Sequence, residues 1–409
     1  MTVRSALTLL LVLACPASAG AAWTKPRAVT AEGWQTAELA LGESGDVALA
    51  ASGAYEVVGQ GYNVRQAAPL QVLRGTVRSR LPRRQVISRR MELLLALRPL
   101  ADRSTVAAWT ELVPDAGDAS GASPVPVAAL AARDGRFGGL LVVGPHQATD
   151  PHVAVGSTGV GLTVYRSAGG AVSVTRWRAG RPGRRHQEIE RTAGYPGARV
   201  AIGAAHDAVV AWCGGADGTE VRYVTGDARR PFGAPATIPG ARCGAFLAVA
   251  AGRGGRAVAT WLLGRQGSAM SVRPPGGAFG QPVQLATETA GIPIPLAGPG
   301  DVTGAIWTKQ LGPSDTGRLD VGGRPGAVFG IPCPTWGETG FDASGDLTVM
   351  GSRIGERDRI CTRRAGGRWS FERVPRGGTG QFAAGRAGRA VAGVVSVDGG
   401  PPRVWYAGD

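Results

Sequence analysis

Short runs of small and β-branched residues recur along the chain, and most of them end in an aromatic residue. The runs are STVAAW ending at Trp109, VGLTVY at Tyr165, AVVAW at Trp212, AVATW at Trp261 and TGAIW at Trp307, with weaker copies ending at Met350 and Val394. Polar positions do not alternate regularly with apolar ones inside these runs, and this continuous filling predicts strands that are covered on both faces. The runs recur about every fifty residues, so the strands belong to a repeat.

Each run has predicted partners before and after it. An apolar run with a Gly- or Asp-containing turn precedes it, as in 152–159, 199–207 and 246–255, and a variable strand such as EVRYVTG (220–226) follows. The pattern F-G-x-P then occurs at Phe232–Pro235, Phe279–Pro282 and Phe329–Pro332. Proline lacks a backbone donor and belongs on an edge strand. The pattern therefore predicts that each unit contains an inner strand, a second strand, a third strand and an outer strand that carries F-G-x-P.

Four antiparallel strands in a repeat of about 40–50 residues resemble the blades of secreted bacterial β-propellers. The resemblance covers residues 23–409 and rests on period and strand order, because the WD40 dipeptide and the sialidase box S-x-D-x-G-x-T-W are absent. It implies an all-β fold with a single propeller domain over 20–409, and it transfers no site residue. Units begin near 34, 88, 149, 197, 244, 290, 337 and 379. This spacing predicts eight blades, or seven if 34–90 is not a full blade; two β-sandwiches are the alternative fold.

The repeat predicts the structure of several segments that are ambiguous on their own. The segment 91–100 has helical composition, but its place in the repeat predicts an inner strand. The last unit ends after a third strand at 402–407, whereas Trp23–Pro26 is an aromatic-x-x-Pro element without strands before it. We therefore expect the N-terminal strand to complete the last blade and close the ring. The recurring tryptophans are expected to pack between blades.

The N-terminus has the features of a signal peptide over residues 1–19: Arg4, an apolar run at 6–14 and the small-residue site Ala17–Ala19. It predicts a secreted protein; a lipid anchor at Cys15 is the alternative. The net charge of +15 is almost entirely arginine, since only Lys25 and Lys309 are lysines. Export argues against nucleic acid as a partner. The basic stretches 78–90 and 176–191 are expected to be solvated loops and outer strands; the alternative is that they contact anionic polymers or lipids of a cell envelope.

Four cysteines remain without Cys15, and an even number in an exported chain predicts disulfides. In the predicted units Cys213 ends a second strand, Cys243 and Cys333 lie in links between blades, and Cys361 begins a third strand. All four positions belong to the same face of a propeller. We therefore predict the pairs Cys213–Cys243 and Cys333–Cys361.

No catalytic motif is recognisable. G-x-S-x-G and H-E-x-x-H are absent, and GSTGVG (156–161) is a tight turn between strands. We expect no cofactor and no metal, and we interpret His146, His152, His186 and His206 as loop or strand-end residues. The acidic candidates between second and third strands are Glu111, Asp115, Asp118, Asp217, Glu220, Asp315 and Glu356.

These observations favour a secreted or cell-surface monomer that binds or scaffolds an extracellular protein or polysaccharide without catalysis. The insertions 54–66 and 111–124 are expected to be exposed loops on its contact face. The alternative is a propeller-type glycosidase or lyase with a dispersed site, which would bring carboxylates, Tyr and Arg together at the central pocket. The sequence does not identify the ligand.

Overall fold

The structure is a computed structural model, and it describes residues 27–28, 35–42, 45–58, 65–76, 83–115, 118–146, 148–167, 169–192, 197–264, 267–287, 291, 293–299, 301–307, 315–333, 339–341, 345–351, 359–364, 367–373, 379–384, 391–396 and 403–407. The signal peptide predicted over 1–19, Cys15 and the Trp23–Pro26 element lie outside these residues. The described chain forms antiparallel sheets, and no helix in it is long and apolar enough to cross a bilayer.

Five sheets consist of four consecutive strands each, which we number units 3 to 7. Unit 3 contains β10 (Thr149–Val155), β11 (Val160–Arg166), β12 (Ala171–Arg178) and β13 (Arg184–Arg191). Unit 4 contains β14 (Arg199–Ile202), β15 (Asp207–Gly214), β16 (Glu220–Asp227) and β17 (Ala236–Arg242). Unit 5 contains β18 (Ala245–Ala251), β19 (Ala257–Leu262), β20 (Ser268–Arg273) and β21 (Val283–Ala286). Unit 6 contains β22 (Ile294–Ala297), β23 (Val302–Trp307), β24 (Asp315–Val321) and β25 (Val328–Ile331). Unit 7 contains β26 (Thr339–Phe341), β27 (Leu347–Gly351), β28 (Arg359–Arg363) and β29 (Trp369–Arg373).

The first two units share one eight-stranded sheet. Its strands are β2 (Gln35–Leu41), β3 (Asp46–Ser52), β4 (Glu56–Val58), β5 (Arg65–Thr76), β6 (Arg83–Pro99), β7 (Thr105–Asp115), β8 (Asp118–Ala131) and β9 (Leu141–Val142). The first part of β6 pairs with β5 as the outer strand of unit 1, and its second part pairs with β7 as the inner strand of unit 2. The predicted inner strand at 91–100 is thus confirmed up to Pro99.

The last sheet contains both ends of the described chain. It orders β30 (Thr379–Ala384), β31 (Val391–Ser396), β32 (Arg403–Ala407) and β1 (Arg27–Ala28), and we call it unit 8. Arg27 pairs with Val404 and Ala28 with Arg403 in antiparallel register. In addition, β2 of unit 1 contacts β30 and β31. The short strand β1 therefore lies beside the first residues of β32.

The core lies between consecutive units. Trp109, Trp212, Trp261 and Trp307 are all at most 2% exposed. Trp261, for example, shares a buried cluster with Val209 and Ala211 of unit 4, and Trp212 shares one with Val160 and Leu162 of unit 3. Each ring thus buries a large area against the preceding unit. The prediction that the tryptophans pack between units is confirmed.

Two expectations were wrong. The described parts of the insertions are paired strands and not loops: β4 pairs with Arg65–Ala67, and the ladder of β7 and β8 continues through Pro114 opposite Ala122. In these parts each insertion adds residues to both arms of a hairpin. The F-G-x-P segment is also not the outer strand in units 4 and 5, because Phe232 and Phe279 precede β17 and β21; in unit 6 the segment overlaps β25.

Candidate functional site

The inner strands begin at one end of the sheets, which we call the upper end. Antiparallel order places the second strand's end and the turn to the third strand at the same end. In four units the inner strand carries an extra residue near this upper end, which is a β-bulge. The bulges fall between Thr36 and Glu38, Met91 and Leu93, Thr149 and His152, and Ala245 and Leu247. Bulges re-aim side chains and are common next to functional sites.

The bulge in unit 5 has an unusual backbone. Its extra residue, Phe246, has a φ of 43°. A bulky residue in this left-handed region is strained, by about 1–2 kcal/mol. The strain does not serve the core, because the Phe246 side chain is 57% exposed. Leu93, next to the bulge of unit 2, is 54% exposed. The upper ends of these inner strands therefore present large apolar side chains to solvent.

The bulge in unit 3 presents polar groups instead. Asp150 has a φ of 48°, and its Oδ2 accepts a 2.9 Å bond from Nη1 of Arg199, which begins the inner strand of unit 4. Asp150 Oδ1 lies 3.8 Å from Nε2 of His152. The two inner strands are in contact, so the ion pair links adjacent units. The upper end thus combines an exposed aromatic ring, a leucine and a paired Arg and Asp.

His152 is neutral at physiological pH. Burial by the surrounding strands, together with the positive charge of Arg199, lowers its pKa to about 4, and Asp150 only partly opposes this. Two-fifths of the side chain remains accessible. A neutral, accessible imidazole can donate or accept a hydrogen bond to a bound group. The interpretation of His152 as a simple strand-end residue therefore missed a polar contact at the site.

Glu38 follows the bulge of unit 1. Its Oε1 accepts a 3.3 Å bond from the backbone N–H of Leu97 on the inner strand of unit 2. Burial raises the pKa of this carboxyl from 4.5 to about 7, and the Leu97 bond opposes the rise only in part. Glu38 is thus a carboxyl at the boundary of two units that holds its proton at mildly acidic pH.

A second polar network joins units 3 and 4 near their upper ends. Glu190 accepts a 2.8 Å bond from Nε1 of Trp212 and a 2.8 Å bond from Nη2 of Arg222. The Arg222 guanidinium also donates to Thr237 Oγ1 at 2.7 Å and lies 3.5 Å from Glu220. The network is four-fifths buried at Glu190 and Arg222, so its charges satisfy one another. It holds the two units together.

Both predicted disulfides are present. Cys213 pairs with Cys243, with a Cα–Cα distance of 5.7 Å, and Cys333 pairs with Cys361, with a Cα–Cα distance of 6.2 Å. Each joins a link between units to a strand at the upper end. They tie down the links that lead into the inner strands of units 5 and 7.

The acidic candidates whose side chains the structure describes do not form a cluster. Glu111 lies within β7 and accepts bonds from Ser88 and from Trp109 Nε1, Asp217 caps the turn at Thr219, and Glu220 belongs to the Arg222 network. Asp315 is buried at the start of β24, Asp115 and Asp118 pair across the hairpin tip, and Glu356 lies outside the described residues. Among the described residues no three His, Cys, Asp or Glu side chains group as a metal site would require.

The other histidines do not lie on the inner strands. His186 on β13 bonds the hydroxyl of Tyr165 at 2.8 Å, His206 lies 3.4 Å from Thr158 Oγ1 in a turn, and His146 is exposed. Of the bulged residues, only Asp150 had a sequence signal. Pro151 follows it at the start of the inner strand, and proline in an inner strand indicates a bulge. Phe246 had no such signal.

No protein-family model matches the chain, and no curated protein sequence does. Among solved structures, the Dos1 propeller is 9% identical, with a TM-score of 0.57 and 94% of each chain covered. The fold is a β-propeller. A prolyl endopeptidase is 10% identical with a TM-score of 0.49; the match covers 90% of this chain but spans only 55% of that one. A protein of unknown function from Dyadobacter fermentans is 12% identical with a TM-score of 0.46, covering 95% and 98%. The likeness to the Dos1 propeller shows the fold alone.

Proposed function

We propose that this propeller is a secreted or cell-surface binding module that takes its ligand at the upper ends of its inner strands. The observation that carries the proposal is Phe246, a bulky residue held at positive φ with more than half of its side chain in solvent. Backbone strain persists only where the surrounding structure imposes it, and it concentrates at ligand sites. An aromatic ring beside polar groups is a contact suited to an extracellular protein or a polysaccharide.

The proposed role is non-catalytic. One carboxylate oxygen of Asp150 is engaged by Arg199 at 2.9 Å. Glu38 bonds a backbone amide of the neighbouring unit, which suits a structural role better than attack on a substrate. The rival hypothesis, a glycosidase or lyase, needs two carboxyl groups facing one substrate bond.

The binding surface requires a complete ring, and we propose that eight blades form it, closed by the N-terminal strand. Support comes from the pairing of β1 with β32 and from the contact of β2 with β30. Closure removes the exposed edge of β32 and covers the apolar face between the first and last units. In a seven-bladed ring, either unit 1 or unit 2 would not form a blade.

Secretion is proposed on the N-terminal sequence and on the disulfides, which fit an extracellular protein. The basic stretches have the predicted position at 83–90 and 184–191, where most side chains of these outer strands are exposed. These arginines give the propeller a positive rim that would hold it near anionic envelope polymers. A lipid anchor at Cys15 would serve the same location.

The test is binding by surface plasmon resonance to polysaccharide and secreted-protein fractions from the source cell. Phe246→Ala should abolish binding to the fraction that the parent protein retains. Phe371→Ala is the matched control, because Phe371 is also 57% exposed but lies on the outer strand β29. Equal loss in both variants, or none in Phe246→Ala, would refute the proposed site. Release of reducing sugar ends from the bound polysaccharide would refute the non-catalytic role.

A further inference from the structure

A cavity of about 370 Å³ lies between units 2 and 3, at the lower ends of their sheets. It is far along the strands from the upper ends, since it is bounded by the turn between β12 and β13 and by the segment that leads into β9. Its volume falls within the range of small-molecule sites, roughly 300–1,000 Å³. The cavity is therefore separate from the site proposed above.

An interruption in the outer strand of unit 2 forms one wall. Phe137 makes an isolated bridge with Ala131, and pairing resumes only at Leu141 opposite Ala128. Between these points the chain bends away from β8, and only the N–H of Gly138 returns to the carbonyl of Leu130, at 3.0 Å. The bend leaves β8 uncovered over this stretch. Units 4 and 5 have a similar unpaired segment before their outer strands, which begin only at Ala236 and Val283.

The turn of unit 3 forms the opposite wall, and its backbone favours glycine. Gly180 has a φ of +70°, and a Cβ at this position would stand 2.6 Å from Cδ2 of Leu130. Any other residue would strain the backbone here and would displace the end of the Leu130 side chain. This contact closes the base of the cavity between the two units.

The lining is apolar with one cationic group. Leu130, Leu140 and Leu141 contribute side chains, and Leu140 is 52% exposed, so a ligand would cover it. Arg181 lies at the edge, in the same turn as Gly180. Within the described part of the chain, no ion pair or hydrogen bond to its guanidinium is found. An exposed arginine beside an apolar cavity complements an anion that carries an apolar body.

We propose that this cavity binds a small amphiphilic anion, with its apolar tail against the three leucines and its carboxylate, sulfonate or phosphate on Arg181. The probe is octanoate, measured by isothermal titration calorimetry on the full exported chain, with octan-1-ol as the neutral analogue. Octanoate should bind one equivalent saturably and at least tenfold more tightly than octan-1-ol. Arg181→Ala should remove that tenfold preference, and Arg181→Lys should restore part of it.

A second variant fills the cavity. A Cβ on Gly139 would meet nothing within 4 Å, so Gly139→Leu should fold normally and abolish octanoate binding. Gly233→Leu is the matched control, because Gly233 follows Phe232 in unit 4 with equally open space. Arg178→Ala controls for charge, since Arg178 is exposed at the end of β12 but does not line the cavity. Both controls should bind as the parent does.

Three results would overturn the proposal. The first is the absence of saturable octanoate binding to the parent protein. The second is unchanged binding in both Gly139→Leu and Arg181→Ala, which would place the ligand elsewhere. The third is equal affinity for octanoate and octan-1-ol. None of these results bears on Phe246, because the two sites lie at opposite ends of the strands.

Discussion

Replacing Glu38 by glutamine should change how stability depends on pH. The carboxyl has its ordinary pKa of 4.5 in the unfolded chain and a pKa of about 7 in the folded protein, where burial disfavours its charge. Below pH 4.5 the carboxyl is protonated in both the folded and the unfolded state, so it does not change the free energy of unfolding. As pH rises from 4.5 towards 7 the unfolded chain releases the proton first, so the folded state loses stability. Above pH 7 the loss is complete.

The size of the loss follows from the displacement of the pKa. At about 1.4 kcal/mol for each pKa unit, a rise from 4.5 to about 7 corresponds to about 3 kcal/mol at pH 8. Glutamine has nearly the same shape and carries no charge. Its side-chain oxygen can still accept the bond from the Leu97 amide. Glu38→Gln should therefore match the parent near pH 4 and exceed its free energy of unfolding by up to about 3 kcal/mol at pH 8.

The assay is urea unfolding at pH 4, 6 and 8 with the disulfides intact, followed by tryptophan fluorescence. Glu188→Gln is the control, because Glu188 is 44% exposed and pairs with Arg191 on the surface of β13. The free energy of unfolding of Glu188→Gln should stay close to that of the parent at every pH. The reasoning fails if Glu38→Gln and the parent have parallel pH profiles, or if the variant is the less stable protein at pH 8.

Three further predictions concern the backbone and the chain ends. Phe246→Gly should have a free energy of unfolding about 1 kcal/mol higher than that of Phe246→Ala, because glycine adopts positive φ without strain. Equal free energies of unfolding in denaturant melts would show that the backbone at this position is not strained. Joint replacement of Cys213 and Cys243 by alanine should cost roughly 3–4 kcal/mol in the chain-entropy model, and peptide mapping of the unreduced parent should recover this crosslink; a 243–333 crosslink would disprove the pairing. Deletion of residues 20–31 removes β1 and should cause aggregation visible by light scattering; a deletion variant as monomeric as the parent would contradict the proposed closure by this strand.

The sequence by itself determined the inner, second and third strands and their order, but not the outer strands of units 4 and 5. The runs ending in Trp109, Trp212 and Trp261 predicted second strands because continuous small and β-branched residues suit a sheet covered on both faces, and this is a local property of the chain. The disulfide pairs followed from the same repeat, since antiparallel order places Cys213 and Cys243 at one end of their sheets. Residues that the repeat places at the same end of neighbouring sheets lie close together in the structure.

Only the tertiary structure decided the features that carry the proposals. The bulges at Asp150 and Phe246 depend on the register between two strands, and composition does not encode register. The insertion at 111–124 is rich in turn residues, yet pairing between its two arms extends β7 and β8 along it. The pKa of Glu38 depends on how deeply β2 and its neighbours bury it. The cavity at Arg181 exists because Gly180 of one unit meets Leu130 of another, a contact between residues fifty positions apart.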